Sequence, residues 1–228
     1  ETVEQSNGDI VQKFDFYRID DSYDSKELML PYKLNGTSET EKIRNKMLEV
    51  MFGKSDGDIE NLVLEGVKSW GRRTEMLFRS GDGIVSFGFE NKSVNNNKSN
   101  TFIVFNKETG EAIKAEDLIK DKKGFMEFVN SHKYYMEGFL FGDSFEGKEK
   151  YGSEFKSYLK HSVHFGDFKG LEEFPTSWFF VFNKMDEVIP VEFNTSKNRI
   201  FLDYSDIKKF MNKKYVKVMD KAVKSIKK

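Results

Sequence analysis

The sequence predicts an α+β fold in which antiparallel sheets, built from hairpins, are covered by helices, either as two lobes or as one continuous domain. Three observations predict it. Apolar runs rich in Phe, Ile, Val and Trp recur with short polar turns between them, and strands joined that closely pair antiparallel, because a parallel neighbour needs a crossover of a dozen or more residues. Other stretches carry apolar residues at helical spacing. The 228-residue chain is also long enough to bury a full core, and 15% aromatic residues, 23 of them Phe, supply it. With 33% charged residues and a mean hydropathy of −0.62, the surface is expected to be heavily solvated.

In chain order, residues 1–12 are polar and without apolar periodicity, and they read as a flexible N-terminal spacer. Residues 14–19 and 27–34 read as two strands; Pro31 has no N–H for a ladder, so the second lies at an edge or a bulge. Ser38-Glu39-Thr40-Glu41 has the form of a capping box, and Ile43, Met47, Val50 and Met51 follow at helical spacing up to Gly53. A second helix is expected over residues 58–68. Residues 75–78 and 84–89 flank Ser80-Gly81-Asp82-Gly83 as a hairpin, since glycine supplies the positive φ of tight turns. A phosphate cradle is not expected there, because these glycines lead into a strand rather than a helix.

After a polar loop at 92–99, residues 101–105 form a strand, 106–110 a turn and 115–119 a short helix. Phe125, Val129, His132, Met136 and Phe139 continue at helical spacing, and Phe155, Tyr158 and Leu159 suggest one more helix. The linker is expected at 142–152, between an N-terminal lobe (13–141) and a C-terminal one (153–228), unless 13–228 is one domain. Strands follow at 178–182, 188–193 and 199–202. Asp203-Tyr204-Ser205-Asp206 then caps a helix carrying Ile207, Phe210, Met211, Tyr215 and Val218.

A net charge of −1 offers no field for nucleic acid, although the balance is uneven. The last 24 residues hold nine Lys against Asp206 and Asp220, which is +7, so the remainder carries −8. A solvated lysine face is the plain reading, and contact with an anionic membrane or polymer is the sharper one. The absence of Cys removes thiol catalysis, thiolate metal sites and disulfides. No apolar run reaches the ~18 to 20 residues of a membrane span. With Glu1 in place of a Met, the polar start is what a cleaved signal or a lipid-anchored residue leaves behind.

Candidate chemistry is sparse. His161, His164 and Asp167 lack the partners of a tetrahedral set, and His132 falls on the apolar face of its helix, so no metal or cofactor is expected. No Gly-x-Ser-x-Gly elbow appears. The carboxylate pairs Asp20-Asp21, Glu172-Glu173 and Asp186-Glu187 read as solvated turns, because neighbours on a strand point to opposite faces. Trp70 with Arg72 and Arg73, Tyr134-Tyr135, and Trp178 could stack a sugar or a peptide, against the alternative of plain packing. Asn35, Asn91, Asn97 and Asn194 begin glycosylation acceptor patterns. Neither a catalytic residue nor a specific ligand contact is assigned, and no reactive group is expected to stand poised.

Two segments carry a resemblance. Phe102-Ile103-Val104-Phe105-Asn106-Lys107-Glu108-Thr109-Gly110, continuing to Leu118-Ile119, is similar to a strand, Thr-Gly turn and short helix found in a bacterial cell-envelope family. Residues 178–211, with the Asp203-Tyr204-Ser205-Asp206 step, resemble its closing strands and helix. The family comprises domains of unknown function in the extracellular part of RsiV-type lysozyme-sensing anti-sigma factors and in front of some peptidoglycan deacetylases. Ser93-Val94-Asn95-Asn96-Asn97 stands where the family has Gly-Gly-Ala-His, and Pro190-Val191-Glu192-Phe193 where it has Pro-Tyr-Glu-Ile-Ala. The resemblance therefore implies fold and an extracytoplasmic, lipid-anchored or secreted location ahead of lysozyme binding. The functional expectation is an exported, non-catalytic domain that binds or senses a lysozyme-like protein or an envelope glycan, touching the membrane only through a removed N-terminal anchor. The alternatives are a cell-wall glycan hydrolase with carboxylates assembled by the fold, and a structural partner in an envelope assembly.

Overall fold

The computed structural model describes residues 1–5, 7–17, 25–35, 37, 40–53, 58–62, 73–92, 98–132, 171–182, 189–196 and 199–226. These build an α+β fold of antiparallel sheets and helices in two compact units, Glu1–Ser80 with Ile84–Ala112, and Gly81–Gly83 with Ile113–Lys228. The division falls between Ala112 and Ile113, and residues 142–152, where the linker is expected, lie outside the described residues. Phe125, in the helix after the division, meets the rings of Phe174 and Phe210 edge-on and that of Phe193 at a tilt, all of them in the second unit.

In the first unit, β1 (Thr2–Glu4), β2 (Ile10–Tyr17) and β3 (Ser25–Lys33) form an antiparallel sheet in that order. The N-terminal residues expected to be a spacer are instead sheet, with Val3 opposite Val11. Pro31 meets its expectation twice, since β3 is an edge of this sheet and the register shifts where Ile10 faces Lys33 and Val11 faces Pro31. Helix α1 (Glu41–Phe52) buries Ile43, Met47, Leu48 and Met51 against Leu28, Leu30 and Leu34. Its start differs from the predicted box: Thr40 is the N-cap without a side-chain cap bond, and its hydroxyl donates to Tyr32 O at 2.7 Å, tying the helix to β3. It ends at Gly53, whose φ of 75° is the left-handed C-cap that glycine adopts without steric cost.

The second sheet runs β4 (Arg73–Ser80), β5 (Ile84–Lys92), β6 (Lys98–Asn106) and β7 (Ala112–Ile113). Phe78, Val85, Phe87, Phe89 and Phe105 join the core under α1. The predicted helix over 58–68 shows one turn at Ile59 to Leu62, where Leu62 N–H donates to Asp58 O, and its remainder lies outside the described residues.

In the second unit, α2 (Ala115–Leu118) and α3 (Lys122–His132) precede the sheet of β8 (Ser177–Phe180), β9 (Pro190–Asn194) and β10 (Arg199–Asp203), with β9 central and buried along its length. Asp203 caps α4 (Tyr204–Ile207) as expected, its carboxylate accepting from Ser205 N–H. The single helix predicted beyond it is instead interrupted. A 3-10 turn at Lys208–Phe210 leads to an extended Met211 that pairs with Ile119, and α5 (Lys213–Ile226) starts anew after Asn212, whose N–H donates to Leu118 O. Apolar spacing does not register this break, because Phe210, Met211 and Tyr215 are buried on either side of it.

Across the break, Tyr204 OH donates to Asp220 at 2.7 Å and Lys208 Nζ donates to the same carboxylate at 2.7 and 2.9 Å. Burial, then the bond to Asp220 and its charge, pushes the Tyr204 phenol up, so it remains a donor. For Asp220 burial acts upward, but the hydrogen bonds from Lys208 and Tyr204 and the charges of Lys208 and Lys224 outweigh it and hold the carboxyl below its usual 3.8. A depressed carboxyl stabilises the fold above its unfolded value, and that contribution is lost as pH falls through the lower native value. The stability gap between the parent and Asp220→Asn should therefore be constant above about pH 5 and shrink below about pH 4. Urea midpoints at pH 7 and pH 3 check this; a gap that does not shrink excludes the assigned interaction.

Candidate functional site

A shallow groove of about 380 Å³ opens in the first unit beside α1. Lys42, Asn45, Lys46 and Glu49 line one side, and their i, i+3, i+4, i+7 spacing places them on the face of α1 opposite the buried Ile43, Met47 and Met51. Phe105 and Ala112 supply apolar surface, and the turn residues Gly110 and Glu111 the far side.

That turn is built locally. Asn106 Oδ1 accepts from the N–H groups of Glu108 at 2.8 Å and Thr109 at 3.4 Å, while Gly110 N–H returns to Asn106 O at 2.8 Å. Gly110 sits at φ 67°, and a methyl there would come within 3.2 Å of Lys42 Cβ and Cδ, so glycine suits both the turn and the approach of α1. The rim is charged with both signs. Lys46 and Glu49 pair at 2.8 Å and Lys42 and Glu111 at 3.7 Å, with all four side chains about half exposed or more. Such pairs add little to stability and are readily exchanged for a ligand's own groups.

Beneath the surface the turn is fastened by a group absent from the sequence-level expectations. Lys107 Nζ donates to Asp9, and both side chains have no exposure. Ser80 Oγ also donates to this carboxylate, as do Asn7 Nδ2 at 3.1 Å and Asn35 N–H at 2.6 Å. One carboxylate thus gathers the start of β2, the ends of β3 and β4, and the turn after β6. It is a buried, hydrogen-bonded acid–base pair, which the sequence was not expected to hold. Since neither side chain lines the groove or meets solvent, the pair anchors the groove wall rather than a substrate.

Among the described residues, none of the sequence-level candidates lines the groove. Trp178 is buried, its indole N–H donating to Ile113 O at 2.7 Å, so it is core and no platform. Glu172 and Glu173 are exposed as expected, and Glu173 accepts from Ser196 N–H at 2.8 Å and its hydroxyl at 2.5 Å. Asn194 is buried in β9, which leaves that glycosylation pattern no access. His132 ends α3, and Arg73 begins β4. His161, His164, Asp167, Trp70, Arg72, Tyr134, Tyr135, Asn97 and the pairs Asp20-Asp21 and Asp186-Glu187 lie outside the described residues. Among the described residues no group of three His, Asp or Glu stands placed to hold a metal, and no helix is long and apolar enough to cross a membrane.

No protein-family model matches the chain, and no curated protein does. Among solved structures it is similar to the crystal structure of a DUF3298 family member from Bacteroides fragilis, with a TM-score of 0.45 and 11% identity over 92% of this chain and 95% of that one.

Proposed function

We propose that this chain is an exported bacterial binding or sensing domain that holds a protein or an envelope glycan in the groove beside α1 and performs no chemistry on it. The groove's construction carries the reading: an apolar floor at Phe105 and Ala112, a rim of alternating lysines and glutamates, and a wall fixed from below by the Asp9 and Lys107 pair. Such a surface offers hydrogen bonds of both polarities to a polar, extended ligand. The resemblance of residues 102–119 and 178–211 to envelope domains supports the location.

Glu49 and Glu111 give the hydrolase alternative its carboxylates. A glycosidase, however, needs one carboxyl kept protonated in an apolar pocket, and these two stand in water beside lysines.

Immobilised lysozyme and soluble peptidoglycan fragments are the ligands to test. The parent should be retained on at least one of them, and Glu49→Lys with Glu111→Lys should weaken retention about tenfold while changing stability by no more than about 0.5 kcal/mol, since both side chains are exposed. No retention of the parent on either ligand would end the reading. Release of reducing sugar that disappears in Glu49→Gln or Glu111→Gln would establish the hydrolase instead.

A further inference from the structure

The lysines of α5 are placed by rule. At about 100° per residue, Lys213, Lys214, Lys217, Lys221 and Lys224 fall within an arc of about 100°, and no other residue type falls between them. All five are exposed, while Tyr215, Met219, Ala222 and Val223 on the opposite side are buried. Lys213, Lys217, Lys221 and Lys224 advance along the axis by steps of about 6, 6 and 4.5 Å, a stripe about 16 Å long.

Two features separate this stripe from an ordinary solvated face. The first turn of α5 has no acidic residue and begins with Lys213 and Lys214, so two cations face the positive end of the helix dipole, where they cost stability. Only Lys224, in the last turn, is placed as the dipole favours. In addition, the acid on this helix, Asp220, is engaged by Tyr204 and Lys208. Its charge is neutralised at the margin of the stripe instead of interrupting it.

We infer that the lysine face of α5 docks a linear, phosphate-bearing polyanion lying along the helix axis. Charge complementarity selects a polyanion, and the narrow row of cations stepped about 4.5 to 6 Å apart selects a chain over a plane. A bilayer is disfavoured because the apolar side of α5, which would enter the headgroup region, is already buried in the protein. Bases and sugar rings find no aromatic stacking partner among the α5 residues of the arc, so recognition is through phosphate alone. This surface belongs to the second unit and the groove to the first, so either reading can fail without the other.

Long-chain inorganic polyphosphate is the probe, titrated against the full chain. Binding should be measurable at low salt and fall steeply as salt rises, as counterion release requires. Lys217→Gln, Lys221→Gln and Lys224→Gln together should weaken it at least about tenfold, whereas Lys114→Gln, Lys120→Gln and Lys123→Gln, which remove the same charge elsewhere, should change it less than about twofold. Circular dichroism verifies that both variants are folded. Equal losses in the two variants, or no binding at low salt, would overturn the proposal. Tighter binding to phosphatidylglycerol vesicles than to polyphosphate at matched phosphate would overturn it in favour of a membrane surface.

Discussion

Lys107→Met should destabilise the protein by about 3–5 kcal/mol, the cost of leaving a buried charge without its partner. The Asp9 carboxylate would keep the hydroxyl of Ser80, the amide of Asn7 and the N–H of Asn35, but it would lose the Lys107 cation at a place with no exposure. Asp9→Asn alone should also be costly, because it removes the charged partner of a buried ammonium. The double variant Asp9→Asn with Lys107→Met should recover about 1–3 kcal/mol of the summed loss, since the amide oxygen can still accept from Asn35 and no charge remains buried. Urea unfolding midpoints for the four proteins close the cycle. A Lys107→Met protein that unfolds with the parent would show that the pair does not anchor the fold. Lys107 is also the first residue of the turn that walls the groove, so retention of a groove ligand should fall in the same variant.

Trp178→Ala should cost about 3–5 kcal/mol, the range for truncating a large buried aromatic. Trp178 is 1% exposed in β8, opposite Phe193 on the central strand, so the cavity would open at the β8 edge of the second unit's sheet, beside that strand. Trp178→Phe separates the two contributions. It keeps most of the ring volume but leaves Ile113 O without the indole donor, for a loss of about 1–3 kcal/mol. Far-ultraviolet circular dichroism in urea gives both values independently of tryptophan fluorescence. A Trp178→Ala protein within about 1 kcal/mol of the parent would exclude a core role and return Trp178 to consideration as a stacking surface.

These residues mark the limit of sequence reading here. Trp178 could be core or platform, because an aromatic flanked by Phe179 and Phe180 fits either, and burial depends on what covers the strand. Asp9 and Lys107 are 98 positions apart. In the sequence one belongs to a polar N-terminal stretch and the other to an Asn-Lys-Glu-Thr-Gly turn, both ordinary solvated settings. The groove was equally hidden: Lys42, Asn45, Lys46 and Glu49 are the polar face any amphipathic helix has, and only the return of the turn at Gly110 and Glu111 makes them one side of a cleft. The lysine run of the last helix was visible, but its confinement to one arc depended on where α5 begins, which the extended Met211 decides.

What the sequence determined by itself was local. Apolar runs ended by turn residues specify hairpins, the spacing of Ile43, Met47 and Met51 specifies the buried face of a helix, Asp203 specifies a cap, and Pro31 specifies an edge, since each follows from neighbours in the chain and the geometry of one element. The tertiary structure decided what rests on distant residues meeting. It set the break at Met211 by pairing with Ile119, the incorporation of Thr2–Glu4 into a sheet, the division after Ala112, and the burial of a lysine beside an aspartate. A charged side chain reads as surface until another part of the fold supplies its counter-charge and excludes water, and spacing along one chain carries no record of that encounter.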